Sequence, residues 1–282
     1  MADQYKITRQ FHKKKRRKPS TAFKKRKRNS RRYRKRVTEQ NQLHGKHIIG
    51  QIYATIIQLF PELFKWMREI EDFREASDYD LAEIITASLA MFLFKTGSRN
   101  EFNNLSTDGN FQKNYEKLFG FKMPHLDTVH NVMKRLEEKH LEKLKRRMIK
   151  ELLDRKCLYK YRFRKQYIVA VDGTGVASFG HKHCDQCLHK TSKKGKTTWF
   201  HNVLEAKLIT PNGFALLIGT QWIENPIDEY KKQDCERKAF QRLAEKIKKD
   251  YPRLPICLTA DSLYPYQGFF DICKTYNWHY IL

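Results

Sequence analysis

Two apolar runs in the sequence each climb to a bare carboxylate: IVAVD, ending at Asp172, and CLTAD, ending at Asp261. Both have the length and composition of buried strands. Taken singly, an aspartate in such a place caps the turn that follows. Taken together, two carboxylates brought side by side repel and raise each other's pKa, and a bound divalent cation removes that penalty. Hard oxygen ligands with open positions suit Mg2+ or Mn2+. Two such ions about 3.5–4 Å apart activate a water or a 3′-hydroxyl and stabilise the leaving oxygen of a phosphodiester. The expectation is a Mg2+ (or Mn2+) site on Asp172 and Asp261. Gly173 and Gly175, which follow the first acid, would let a nucleic-acid backbone approach closely.

A second constellation lies in GHKHCDQCLHKTSKKGKTTWFH. Cys184 and Cys187 have C-x2-C spacing, with His181, His183, His189 and His201 nearby. Structural Zn2+ takes two thiolates and two imidazoles, and the expected set is Cys184, Cys187, His189 and His201. This is half a motif, and the competing reading is a polar loop whose cysteines are merely local. Lys193, Lys194 and Lys196 on the same insertion are expected beside the acids, gripping a DNA phosphate, or else form a solvated basic loop. Cys157, Cys235, Cys257 and Cys273 are scattered, which indicates reduced thiols and no disulfide framework. Asp234 and Glu236, in the first turns of a helix pattern, read as surface acids favoured by the helix dipole more than as groups reaching the acidic edge.

The elements that must position these groups follow from periodicity. Residues 161–282 alternate strand and helix patterns in the order β-β-β-α-β-α-β. WFHNVLEAKLIT and GFALLIGTQWI, joined by Pro211-Asn212-Gly213, form a hairpin. The helix that follows has Leu243, Ile247 and Tyr251 on its inner face and stops at Pro252. The two acid-bearing strands are then the first and fourth, which neighbour one another in an RNase H-like sheet. Residues 41–160 read as a helical domain, with a break at Pro61 and a helix opened by Ser77 as N-cap. MPHLDTVHNVMKRLEEKHLEKLKRRMIKELL reads as one long helix capped by Asp127 or Thr128, with Val129, Val132, Met133, Leu136, Leu144 and Met148 as its apolar stripe. With the short NYEKLFGF helix ahead, it suggests a helix-turn-helix-like unit that presents Lys134 and Arg135 to DNA, or an ordinary amphipathic helix with a solvated basic face.

The net charge is +26, from 57 Lys and Arg against 31 Asp and Glu, and points to a polyanionic partner such as nucleic acid. The charge is densest in residues 1–40, which should be disordered alone. Lys13, Lys14, Lys15, Arg16 and Arg17 would lie along a phosphate backbone, with affinity that falls steeply with salt. A solubilising tail or a nuclear address are the competing readings. The longest apolar run, Ile84 to Phe94, is too short to span a bilayer, and the start of the chain is polar and then basic. A cytoplasmic, nucleoid-associated protein with no membrane partner is expected.

VAVDGTG, HNVLEAKL, KQDCERKAFQRLAEKIKKDYPRL and LTADSLY, in this order, resemble DDE transposases of bacterial insertion sequences, in the broad insertion-sequence-four group. The resemblance covers about residues 40–282 and is strongest from 166 onward. It implies an RNase H-like catalytic domain that cuts and joins DNA strands with Mg2+. Asp172 would be the first acid and Asp261 the second. The helical domain would bind the element's terminal repeats, and a homodimer would synapse them with target DNA. The family's third acid is a Glu on a helix after the last strand, within Y-(2)-R-(3)-E-(6)-K. That motif is absent, and Glu205 and Glu224 lie on or at the ends of strands. The implied fold class is α + α/β: a basic disordered arm, a helical domain, and an RNase H-like mixed sheet lacking its final helix. The alternatives are a truncated, inactive remnant that only binds DNA, and a basic RNA-associated protein.

Overall fold

The computed structural model describes residues 50–227 and 232–282. The arm with Lys13, Lys14, Lys15, Arg16 and Arg17 lies outside the described residues. Contacts divide the chain into residues 1–56 and 57–282. Of the first unit, residues 50–56 are described, and they are helical.

In the second unit, residues 57–59 are helical and the helix stops at Phe60 and Pro61, where proline removes a donor and crowds the preceding turn. The helices that follow are α1 (Leu63–Arg68), α2 (Leu81–Leu93), α3 (Arg99–Ser106), α4 (Gly109–Phe119), α5 (Leu126–Met133) and α6 (Glu138–Asp154). The start of α2 differs from expectation. Its N-cap is Asp80, not Ser77: the Asp80 carboxylate accepts from the Glu83 N–H at 2.7 Å, and Glu83 accepts from the Asp80 N–H at 3.0 Å. This reciprocal box satisfies two otherwise orphaned donors, which a lone serine three residues upstream does not. Ser77 instead donates to the Tyr79 carbonyl. Ile84, Ile85, Ala87 and Ala90 make α2 the buried helix of this part.

The long helix expected within residues 123–153 is two helices. Lys134 to Glu137 form a turn between α5 and α6, with Leu136 buried beneath it. The cap of α5 is His125, whose ring Nδ1 accepts from the Asp127 N–H; Asp127 and Thr128 are inside the helix. The principal neighbours of α5 are α2 and α3.

The rest of the unit is a mixed sheet of six strands, among the described residues, with helices against it. The elements are β1 (Tyr167–Phe179), β2 (Leu188–Thr191), β3 (Thr197–Ile209), β4 (Ala215–Ile223), α7 (Glu236–Asp250), β5 (Ile256–Thr259), α8 (Gln267–Tyr276) and β6 (His279–Ile281). β3 is antiparallel to β1, β2 and β4, while β5 is parallel to β1 and to β6. The order is β2-β3-β1-β5-β6, with β4 also on β3. One strand more forms than the sequence pattern indicates: β2 lies in the insertion read there as a loop, paired with the start of β3. The expected hairpin is β3–β4, turned at Gly213 with φ +90°.

Helix α7 packs its buried Ala239, Phe240, Leu243, Ala244 and Ile247 on β4 and β3. Close approach requires Gly219 on β4, because a Cβ there would stand 2.9 Å from Leu243 Cδ1 and 3.0 Å from Ile247 Cγ1. The helical part meets the sheet through α6 on β4. There Trp222 Nε1 donates to Glu138 at 3.0 Å, and Arg146 pairs with Asp250 at 2.6 Å. No helix among the described residues is long and apolar enough to cross a membrane.

Candidate carboxylate site and a cysteine–histidine cluster

β1 pairs with its two neighbours over different lengths. It stays with β3 from Ile168 to Phe179 but with β5 only from Tyr167 to Ala170. The strand therefore does not end on its acid, as the sequence suggests; burial ends there. Residues 167–171 alternate buried and half-buried, and Asp172 is exposed where β1 loses its parallel partner. Asp261 stands two residues past Thr259, the partner of Ala170, and Asp172 two residues past Ala170. The two acids are thus level just past the point where the parallel pairing of β1 and β5 ends.

The turn-capping reading holds for half of the pair. Asp261 Oδ1 accepts from the Leu263 N–H at 2.9 Å, which fixes the carboxylate and leaves Oδ2 for another partner. The Asp172 side chain has no hydrogen bond or ion pair with a described residue, and its backbone pairs in the ladder with Glu205.

A third carboxylate joins them. β4 and β5 both run parallel to β1, so the connecting α7 must run back, and its first turn lies at the carboxyl edge. Glu236 is the first residue of α7. Its carboxylate fills the space over Gly173: a Cβ there would lie 2.7 Å from Glu236 Cδ and 3.1 Å from Oε2. The space over that glycine holds a side chain of this protein. Gly175 has only ordinary contact, 3.7 Å to Asn202 Oδ1. Partial burial raises the Glu236 pKa, and repulsion from Asp261 and then Asp172 raises it further. The buried Tyr264 hydroxyl approaches Glu236 without closing a hydrogen bond of ordinary geometry.

No protein-family model matches the chain, and no curated protein matches it. Glu236 is a third carboxylate at this edge, its pKa raised first by burial and then by repulsion from Asp261 and Asp172. The sign of the pH effect follows. A carboxyl whose folded pKa is raised favours the folded state below its unfolded pKa, and that contribution is lost as pH rises through the folded value. Glu236→Gln removes the loss, so in EDTA its melting temperature is expected to exceed that of the parent at pH 8 and to converge with it at pH 4. Thermal melts at the two pH values check this, and a lower Tm for the variant at pH 8 would contradict it.

Asp234, read with Glu236 as a surface acid, is neither at the surface nor in the helix. It precedes the Cys235 N-cap, its side chain is 5% exposed, and it pairs with Arg242 at 2.5 Å. Glu205 is directly across from Asp172 on β3 but pairs with Lys207 at 2.6 Å.

The cysteine–histidine insertion closes on itself. Cys184 and Cys187 lie in the turn between β1 and β2, and His201 on β3. Cys184 Sγ is 3.6 Å from Cys187 Sγ and 3.4 Å from His201 Nε2, and Cys187 Sγ is 3.3 Å from the same nitrogen. The ligand atoms of His183, Cys184 and His201 lie within 4.8 Å of one another. His189, expected in this group, is not in it. The β2–β3 register sets His189 opposite Trp199, about 7 Å along the strand from His201, and its ring packs on that indole at 4.9 Å. His183 has the place assigned to His189, and His181 is exposed outside the group.

The basic candidates are apart from the acids. Lys193, Lys194 and Lys196 are exposed in the β2–β3 turn, about 27 Å along β3 from the level of Asp172, because the insertion extends the sheet rather than folding over its edge. Lys134 and Arg135 are exposed in the α5–α6 turn, with Arg135 stacked 4.8 Å from the Phe73 ring.

Proposed function

We propose that the chain is a DDE-type DNA transposase that cleaves and joins strands of duplex DNA at Asp172 and Asp261, with Glu236 as the third carboxylate. The observation that carries this reading is the convergence of the three acids at the open carboxyl edge of β1 and β5. The sheet supports an RNase H-like domain: β4-β3-β1-β5-β6, the first three antiparallel in sequence and the last two parallel to β1, with α7 between β4 and β5.

Carboxylate oxygens are the donors that Mg2+ or Mn2+ prefers, and an ion held by Asp172, Asp261 and Glu236 would activate a water or 3′-hydroxyl and offset charge on the leaving oxygen. Asp172 is free of competing partners, and Asp261 is held by Leu263 with one oxygen to spare. Glu236 gives up its raised proton affinity when positive charge enters the cluster, and the N-terminus of α7 helps to hold its carboxylate ionised. DNA positioning falls to the cations. A duplex seated on the carboxylates and running along β3 would reach Lys193, Lys194 and Lys196 about eight base pairs away, at about 3.4 Å per base pair. The Lys13–Arg17 arm would add affinity independent of sequence. Two copies would pair terminal repeats with a target duplex.

The test is supercoiled plasmid incubated with the full chain in Mg2+, in Mn2+ and in EDTA. Nicked circles with either metal and none in EDTA are expected. Salt-dependent binding with no nicking in either metal would instead leave a DNA-binding remnant.

A further inference from the structure

We propose that His183, Cys184, Cys187 and His201 bind one Zn2+ in a closed tetrahedral site that clips the turn between β1 and β2 onto β3. The site is separate from the carboxylates and does not rest on the nuclease reading.

The distances carry the argument. For bonds of about 2.3 Å to sulfur and 2.0–2.1 Å to nitrogen, the edges of a tetrahedron are about 3.8 Å between sulfurs and about 3.6 Å between sulfur and nitrogen. The observed edges are 3.6 Å between the two sulfurs and 3.4 and 3.3 Å from sulfur to His201 Nε2. Hydrogen bonding alone does not account for this set. Nε2 of an imidazole has one lone pair or one hydrogen, and here two sulfurs converge on it. A disulfide does not account for it either, since that bond needs about 2.05 Å between sulfurs. His183 is the fourth donor of the proposed site: its ligand atom lies within 4.8 Å of those of Cys184 and His201, and its ring stacks on Phe179 at 4.5 Å, at the end of β1.

The cluster is also supported from behind. Asn225 is fully buried and donates from Nδ2 to the Cys187 carbonyl at 2.8 Å, while its N–H donates to the Gln186 carbonyl at 3.1 Å. These bonds fix the backbone of the C-x2-C turn, as outer partners of metal ligands do. Four protein donors leave no open position, which is the mark of a structural and not a catalytic zinc. The clip would hold the β2–β3 hairpin, and with it Lys193, Lys194 and Lys196, rigid relative to β1.

The experiment is metal analysis of the full chain purified with zinc and dialysed against a weak chelator, followed by Co2+ titration of the stripped chain. About one zinc per chain is expected, with the visible absorption of tetrahedral Co2+ and a thiolate charge-transfer band. His183→Ala and Cys184→Ser should each lose most of the metal. His189→Ala and Asp172→Asn should keep it, the latter even if nicking is lost. Far less than one zinc in the parent chain, or Co2+ bound without the thiolate band, overturns the proposal regardless of how the variants fold. Full zinc in His183→Ala together with loss in His189→Ala would overturn the ligand assignment.

Discussion

Asp172→Asn in the full chain is expected to lower Mg2+-dependent nicking by roughly 10³-fold or more, because a metal-ligating oxygen contributes several kcal/mol of charge stabilisation in the transition state. Duplex affinity should stay within about twofold, since under the proposed function it would reside in Lys and Arg contacts to phosphate, and removing one acid opposes none of them. The asparagine is isosteric, and no hydrogen bond to a described residue is lost at Asp172, so folding is spared. Asp261→Asn should behave alike: its amide oxygen can still accept from the Leu263 N–H, so the turn survives while the charge goes. Glu236→Gln is expected to weaken nicking as well, and in the metal-free chain to stabilise rather than destabilise. That opposite sign separates a repelled carboxylate from a structural one. Nicking by Asp172→Asn at the parent rate, measured on the same plasmid and at the same salt, would remove Asp172 from the site.

Much of this arrangement is legible in the sequence, and the misses have physical causes. The acid pair is readable because IVAVD and CLTAD are short, apolar and parallel, and such strands must be neighbours for their acids to meet. The length of β1 is not readable from burial pattern: its outer half is exposed, yet stays paired with β3 to Phe179, and backbone pairing leaves no hydrophobic mark. Glu236 looks like any acid in a first helical turn. What singles it out is topology, the return direction of α7 between parallel strands, together with a glycine after Asp172. That glycine admits chain or ligand equally on sequence grounds, and only the contact decides. His183 and His189 have equal claim by spacing, and the register of a four-residue strand that the pattern reads as loop separates them. The α5–α6 break carries no Gly or Pro, and its helical stripe continues through Leu136, so nothing local announces it.

Phe240→Ala is expected to cost about 3–5 kcal/mol of stability, a large share of the roughly 5–15 kcal/mol that holds a domain folded. The ring is 1% exposed and packs edge-on to Tyr264 at 5.4 Å and tilted on Phe269 at 5.2 Å, with Tyr264 and Phe269 in contact at 5.8 Å. These three rings tie α7, which carries Glu236, to the turn that carries Asp261 and to α8. Phe240 is one turn after Glu236 on α7, Tyr264 is three residues after Asp261, and Phe269 opens α8. Truncation leaves a cavity bordered by two aromatic rings and a helix fixed on β4, which cannot collapse to fill it. Urea unfolding of parent and variant checks the energy, and Phe240→Leu should recover most of it. The site should respond too. With α7 no longer anchored one turn below Glu236, nicking should fall in both metals by more than the unfolded fraction explains, while zinc content stays near that of the parent, since the cysteine–histidine cluster shares no residue with this core. A loss below about 1 kcal/mol would mean that the three rings do not form the packed link between α7 and the Asp261 turn.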